Sequence, residues 1–137
     1  MSDAGFKVRG YKPEDLERVI QINAACLPEN YSSYFYSDLF QRYPDTFLVA
    51  EVEGTVQGYI MCRIERGWSK IGKLTPTRLC HIVSVAVMEN YRRRRIGSSL
   101  VVQAMRNGRD VYGSSEGYLE VRINNEAAIG VYDMLGF

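Results

Sequence analysis

The amino-acid sequence predicts a mixed α/β fold in which a central β-sheet is flanked by helices. Segments of alternating polarity and segments of helical periodicity follow one another in the order β-α-α-β-β-β-α-β-α. At 137 residues, 46% of them hydrophobic, the chain can bury roughly two thirds of its unfolded surface around one core. No apolar run approaches the roughly 18 residues of a membrane span. We therefore expect a single domain over residues 1–137 and no membrane partner.

Two helices follow a short first strand in the predicted order. Alternation over residues 6–9 predicts the strand, and Pro13 with the acidic residues after it marks the start of a helix. This helix ends near Leu27-Pro28. Apolar residues on one side of residues 34–43 predict the second helix, which Pro44 ends.

A hairpin and a buried strand are predicted in the middle of the chain. Residues 46–52 and 55–64 are rich in strand formers and are joined by Glu53-Gly54, a pattern typical of an antiparallel hairpin. Residues 67–77 are predicted as a loop. The nearly continuous apolar run over residues 78–88 predicts a strand buried on both faces, which we place at the sheet centre.

The last third of the chain predicts a helix, a strand and a helix. Apolar residues form a helical stripe over residues 96–105, and period-two alternation returns over residues 118–123. A last short helix is predicted over residues 126–135. With helices on both faces of a mixed sheet, the sheet core is expected to be covered.

The charges are divided unevenly along the chain. The formal net charge is +1, from 17 Lys and Arg against 16 Asp and Glu. Residues 63–109 hold eleven cations and only two acids, a balance of +9, whereas the rest of the chain carries −8. Near-neutrality therefore does not exclude an anionic partner for the basic stretch.

The cysteines indicate a reducing compartment. Cys26, Cys62 and Cys80 make an odd count without C-x-x-C spacing, so the sequence predicts neither a disulfide framework nor a zinc site. Residues 1–9 are too polar to hold the apolar core of a signal peptide. We expect a cytoplasmic protein.

The most informative stretch is residues 81–100, a buried strand followed by a short basic turn and a helix. Arg92, Arg93, Arg94 and Arg95 precede the helix, where each positive side chain opposes the macrodipole by roughly 0.3 to 1 kcal/mol. A bound anion explains this arrangement, because helix-start amides and guanidinium groups together hold phosphate. An arginine-rich, solvated turn is the alternative interpretation.

This stretch resembles the signature Q/R-x-x-G-x-G/A of the GCN5-related N-acetyltransferase (GNAT) superfamily. Arg92 and Gly97 match that signature, while Arg95 occupies the position of its first glycine. Further segments across the chain look like the archaeal relatives of the NatA catalytic subunit. These segments are residues 27–31, 58–60, 81–87, 118–122, 124–128, Tyr132 and 135–137.

The resemblance implies a GNAT fold that transfers an acetyl group from acetyl-CoA to the N-terminal α-amine of a protein or nascent chain. It implies that strand backbone pairs with the pantetheine arm and that the amides of the turn and helix start hold the pyrophosphate. The implied cofactor-binding residues are Val85, Ala86, Val87, Arg92, Arg93, Arg94, Arg95, Ile96, Gly97, Ser98, Asn125 and Tyr132. Arg95 departs from the signature: either it weakens cofactor binding, or its guanidinium lies outward and contacts a CoA phosphate while its amide stays in use.

The acceptor amine sets the strength of base that the reaction needs. An α-amine has a pKa of about 7.7 to 8.0 and a lysine side chain one of about 10.4. Deprotonation at pH 7 therefore costs about 1 to 1.4 kcal/mol for the first and about 4.6 kcal/mol for the second. An α-amine acceptor needs only a modest base, which can act through an ordered water.

Glu29, His81 and Glu120 are the candidate bases. The resemblance places Glu29 and Tyr31 in the loop at the peptide entrance, and His81 and Glu120 on two neighbouring strands. His81 is otherwise a satisfied core histidine and Glu29 a plain loop acid, and both interpretations stay open. A carboxylate in an apolar strand needs a partner, so Glu120 and His81 are candidates to pair with each other. Two ligands make a weak metal site, and we predict none.

Tyr132 matches the tyrosine of the family whose hydroxyl lies near the CoA sulfur, which implies a general acid for the leaving thiolate. Asn125 is expected to hold cofactor or loop backbone nearby. Packing alone is the alternative for Tyr132 in a chain with ten tyrosines. With a single histidine and no matching cysteine, an acyl-enzyme is disfavoured and direct attack on the thioester is preferred.

Two other functions remain as alternatives. One is a catalytically weak GNAT-fold protein that acts as an acetyl-CoA sensor or partner subunit, which Arg95 keeps open. The other is a nucleic-acid-binding module that uses residues 92–95 with Trp68 and Tyr91, and it requires a steep salt dependence. We expect no nucleic-acid partner.

The chain stops at Phe137, whereas the relatives it resembles continue into a final strand hairpin. The sequence therefore predicts a sheet without this hairpin. If Phe137 is the native end, a second copy or an auxiliary subunit is expected to cover the exposed sheet edge. If the chain is a fragment, cofactor binding is expected to survive loss of activity.

Overall fold

The computed structural model describes residues 5–68 and 76–119. Five strands form one sheet in the order β1-β2-β3-β4-β5, and three helices flank it. The strands are β1 (Lys7–Gly10), β2 (Phe47–Val52), β3 (Thr55–Trp68), β4 (Pro76–Val87) and β5 (Glu116–Leu119). The helices are α1 (Leu16–Cys26), α2 (Ser33–Arg42) and α3 (Ile96–Tyr112). Neighbouring strands are antiparallel except β4 and β5, which are parallel, so the predicted mixed sheet is confirmed.

Predicted boundaries of β3, β4, α3 and β5 were wrong. β3 continues to Trp68 and β4 begins at Pro76, so both ends of the loop predicted over residues 67–77 lie in paired strands. α3 continues past residue 105 to Tyr112 and ends where Gly113 adopts the left-handed conformation, at φ 72°. The rest of the strand predicted at 118–123 and the helix predicted at 126–135 lie outside the described residues.

The core lies on both faces of the sheet. One face packs against α3, through Ile96, Leu100 and Ala104. The other face packs against α1 and α2, through residues such as Ile22 and Leu39. β4 contributes to both layers and lies inside the sheet, between β3 and β5, as its continuous apolar sequence predicts. Among the residues described, no helix is both long and apolar enough to cross a membrane.

A bulge divides β4 into two halves with different surroundings. Met61 pairs with Ser84 and Cys62 pairs with Ile82, so Val83 is the extra residue on β4. Such an insertion bends a strand and changes its twist. In the part of the chain that the structure describes, β5 pairs with β4 over Leu79–Ile82, the half before the bulge. Within the described ranges, the half after the bulge has a strand neighbour on the β3 side alone.

Candidate active site

The open edge of β4 is the first part of the site. Met88 donates its amide proton to the carbonyl of Gln57 at 2.8 Å, which makes the neighbouring Val87 and Gly58 a non-hydrogen-bonded pair. The amide and carbonyl groups of Val85 and Val87 therefore point away from β3. Such an edge can pair with an extended ligand that carries its own amides.

The turn after β4 is tied back to that edge. Arg92 donates from Nε to the carbonyl oxygen of Val87 at 2.9 Å. The Sγ of Cys26, the last residue of α1, lies 3.6 Å from the same oxygen. The end of β4, the end of α1 and the basic turn therefore meet at one point.

The start of α3 offers three amides without an intrahelical acceptor. Arg95 is the residue that precedes the helix, and its side chain forms no cap. The first hydrogen bond of the helix is donated by the Ser99 amide to the Arg95 carbonyl, at 3.0 Å. The amides of Ile96, Gly97 and Ser98 precede it and have no carbonyl acceptor within the helix. These amides and the positive end of the macrodipole favour an anion.

The arginines of the turn add positive charge to this helix start. Arg93, Arg94 and Arg95 are all exposed. The Arg94 guanidinium lies over the ring of Tyr91, 5.1 Å from its centroid. The predicted phosphate-binding residues are therefore brought together with the open edge of β4.

The conformation of Arg95 explains why the family signature has glycine at this position. Its φ is 66° and its ψ is 13°, in the left-handed region that glycine adopts most readily. Arg93 also has a positive φ, of 62°. The side chain of Arg95 is exposed, which favours the second of the two expectations, an outward guanidinium.

His81 lies on β4 two residues before the bulge, about 7 Å from it along the strand. Its Nδ1 is 2.8 Å from Oε2 of Glu65 on β3, and its side chain is 14% exposed. The imidazole stacks on the ring of Tyr118 on β5, with centroids 4.6 Å apart and planes 3° from parallel. The Tyr118 hydroxyl donates to Oε1 of Glu65, and Arg63 donates from Nε to Oε2 at 2.9 Å.

Glu65 was missed by the sequence analysis. Its carboxylate contacts Nδ1 of His81. The sequence named Glu120 as a candidate partner of His81, and Glu120 lies outside the described residues. The available signal was the alternation of Arg63, Ile64 and Glu65, which puts both charged side chains on one face of β3. The cross-strand register that places them beside His81 is not visible in a single strand.

Burial raises the pKa of the Glu65 carboxyl, but hydrogen bonds from Tyr118, His81 and Arg63 outweigh burial. They hold this pKa below its usual value. The group is therefore a charged acceptor at neutral pH.

The connection between α1 and α2 holds the predicted substrate residues. Glu29 is partly buried, and the ring of Tyr31 stacks on that of Phe35 with centroids 4.7 Å apart. Glu29 is three residues beyond Cys26, a distance of at most about 11 Å along the chain. Because Cys26 contacts the end of β4, this connection begins beside the open edge.

Three of the predicted site residues, Glu120, Asn125 and Tyr132, lie outside the described residues, and their roles stay predictions. The three cysteines are buried and form no disulfide. Burial raises the pKa of the Cys26 thiol, and the nearby Arg92 offsets this only in part, which is consistent with direct attack on the thioester. Within the described ranges, no three His, Cys, Asp or Glu side chains are grouped to hold a metal ion.

The chain is similar in sequence to known acetyltransferases. A model of the acetyltransferase (GNAT) family matches residues 16–137. An N-alpha-acetyltransferase of Sulfurisphaera tokodaii is 44% identical over 133 residues, which make up 96% of this chain and 80% of the relative.

Solved structures agree with the sequence relatives. Ard1 from Thermoplasma volcanium is 31% identical, with a TM-score of 0.75 over 97% of this chain and 82% of that one. A structure of the NatB acetyltransferase complex bound to CoA and MES includes a chain that is 27% identical, with a TM-score of 0.71. That match covers 95% of this chain and 82% of the other.

The conformation of Arg95 predicts that Arg95→Gly stabilises the protein. Glycine adopts a positive φ without the side-chain penalty, so the free energy of unfolding should rise by about 0.5 to 1 kcal/mol. Urea denaturation measures this change. Arg94→Gly is the matched control, because Arg94 is exposed in the same turn without a positive φ. An equal or larger gain in the control would contradict the assignment of strain to Arg95.

Proposed function

Because the chain belongs to the acetyltransferase (GNAT) family, we infer that it transfers an acetyl group from acetyl-CoA to the N-terminal α-amine of proteins. The observation that carries this conclusion is the 44% identity to an N-alpha-acetyltransferase over 96% of the chain. The open edge of β4 beside the basic start of α3 supports it, since both halves of a CoA molecule find matching groups there.

The described residues fit acetyl-CoA in two places. The outward-facing amides of Val85 and Val87 and the carbonyl of Val85 match the amide groups of a pantetheine arm, whereas the Val87 carbonyl already accepts from Arg92. The amides of Ile96, Gly97 and Ser98, with the exposed arginines before them, match the phosphates. The co-substrate supplies an acetyl group activated as a thioester.

The reaction needs a free amine and a protonated leaving group. In the proposed reaction the amine nitrogen attacks the thioester carbonyl, a C–N bond forms, and the C–S bond breaks to release CoA thiolate. His81, Glu29 or Glu120 takes the proton that the α-ammonium group loses, directly or through water. Tyr132 donates a proton to the thiolate, a role that rests on the family resemblance.

The partners follow from the same proposal. Protein or nascent-chain N-termini are the acceptors, and the cationic α-ammonium group suits a site with carboxylates at Glu29 and Glu65. A related chain belongs to the NatB complex, which supports an auxiliary subunit rather than a second copy as the partner to test first. The proposed compartment is the cytoplasm, where the three free cysteines stay reduced.

The substrate class is tested with short peptides that differ in their first residue. We expect saturable consumption of acetyl-CoA with free α-amines, because deprotonating this acceptor costs about 3 kcal/mol less than deprotonating lysine. The control peptides carry a blocked N-terminus and a free lysine. Turnover on lysine alone would overturn the proposal, and tight acetyl-CoA binding without turnover would favour the sensor alternative.

The phosphate site is tested by removing one arginine at a time. Arg93→Ala and Arg94→Ala should raise the KM for acetyl-CoA on the order of three- to tenfold with kcat nearly unchanged, because each removes a charge at the helix start. Arg106→Ala is the matched control, an exposed arginine about 15 Å along the same helix. Glu29→Gln should instead lower kcat. Equal KM changes at Arg94 and Arg106 would contradict a localised phosphate site.

A further inference from the structure

The carboxylate of Glu65 is hydrogen-bonded to three side chains, one from each of three strands. Oε2 accepts from Arg63 and contacts Nδ1 of His81, while Oε1 accepts from Tyr118. Arg63 is on the same strand, β3, whereas His81 lies on β4 and Tyr118 on β5. These four side chains lie beside the part of β4 that pairs with β5, before the bulge.

This contact decides which ring nitrogen of His81 carries the proton. An ionised carboxylate only accepts hydrogen bonds, so a separation of 2.8 Å from Oε2 requires a proton on Nδ1. Arg63 Nη2 lies 3.2 Å from the same nitrogen, but a guanidinium only donates and cannot bond to a protonated nitrogen. The shorter, charge-assisted contact to Glu65 therefore prevails.

Nε2 is left as the basic nitrogen of the neutral ring. It has no hydrogen-bond partner among the described residues. An imidazole with a proton on Nδ1 can accept a proton only at Nε2.

The plane of the ring is fixed as well. Tyr118 stacks on His81 with planes 3° from parallel, and its hydroxyl is held by the same carboxylate. One acidic side chain thus controls the tautomer of His81, the direction of Nδ1 and the ring on which the imidazole rests. Removing it releases all three constraints together.

We propose that Glu65 is the positioning residue of His81, which it holds in the tautomer that presents Nε2 to the substrate α-ammonium group or to a bridging water. This inference rests on the proposed function, because it assigns His81 the proton in that reaction. It adds a residue on β3 to a site otherwise built from β4, the basic turn and the α1–α2 connection.

The tautomer can be measured without any activity. His81 is the only histidine in the chain, so its ring gives one set of nitrogen signals in a long-range ¹H–¹⁵N spectrum. At a pH where the ring is neutral, the intact protein should show the proton on Nδ1. Glu65→Gln should shift the ring toward the other tautomer. A proton on Nε2 in the unmodified protein would overturn the proposal.

Kinetics test whether Glu65 acts through His81. Glu65→Gln should lower kcat by about 10- to 100-fold, with the KM for acetyl-CoA within about threefold of the original. In a His81→Ala background, Glu65→Gln should lower kcat by less than about twofold, because the residue that Glu65 positions is gone. Equal losses in both backgrounds would assign Glu65 a structural role and overturn the proposal.

Glu51→Gln is the matched control for these measurements. Glu51 lies on β2 and accepts from Arg9 on β1, so it is also a strand carboxylate paired with an arginine. Its side chain is 23% exposed, compared with 24% for Glu65. The Glu51→Gln variant should leave kcat unchanged. If the unmodified protein acetylates no α-amine, the proposed function fails, and the tautomer measurement still decides the position of the His81 proton.

Discussion

The site depends on the unequal pairing of the two edges of β4. Among the residues that the structure describes, one edge is bonded to β3 along the strand, whereas the other meets β5 over Leu79–Ile82. The bulge at Val83 separates the paired half from the open half. The same strand can therefore hold a rigid group of side chains before the bulge and offer backbone hydrogen bonds to a ligand after it.

The two halves carry charges of opposite sign toward their proposed ligands. After the bulge, the chain turns through Arg92–Arg95 into the positive end of α3, where phosphates are favoured. Before the bulge, Glu65 keeps a negative charge because its hydrogen bonds outweigh its burial. Glu65 is one of only two acids in the basic stretch of residues 63–109, so its placement beside His81 is a local exception within a positive surface.

The periodicity and turn signals of the sequence were sufficient for the order of the elements that the structure describes, because each signal is local. The length of the β3–β4 hairpin and the extension of α3 to Tyr112 were not predicted, since pairing and packing across the sheet set both. The Glu65–His81 contact was not predicted for the same reason, because it depends on the register between two strands. Glu120, Asn125 and Tyr132 lie beyond the described residues, and their roles remain predictions.

Amide hydrogen exchange with and without CoA tests most directly whether the open edge of β4 receives the co-substrate. CoA should slow exchange at Val85, Val87 and the first amides of α3. The slowing should exceed that at Ala86, whose amide already bonds to β3 and reports only global stabilisation. Equal slowing at Val85, Ala86 and Val87, with extra protection elsewhere, would show that CoA does not bind along the open edge of β4.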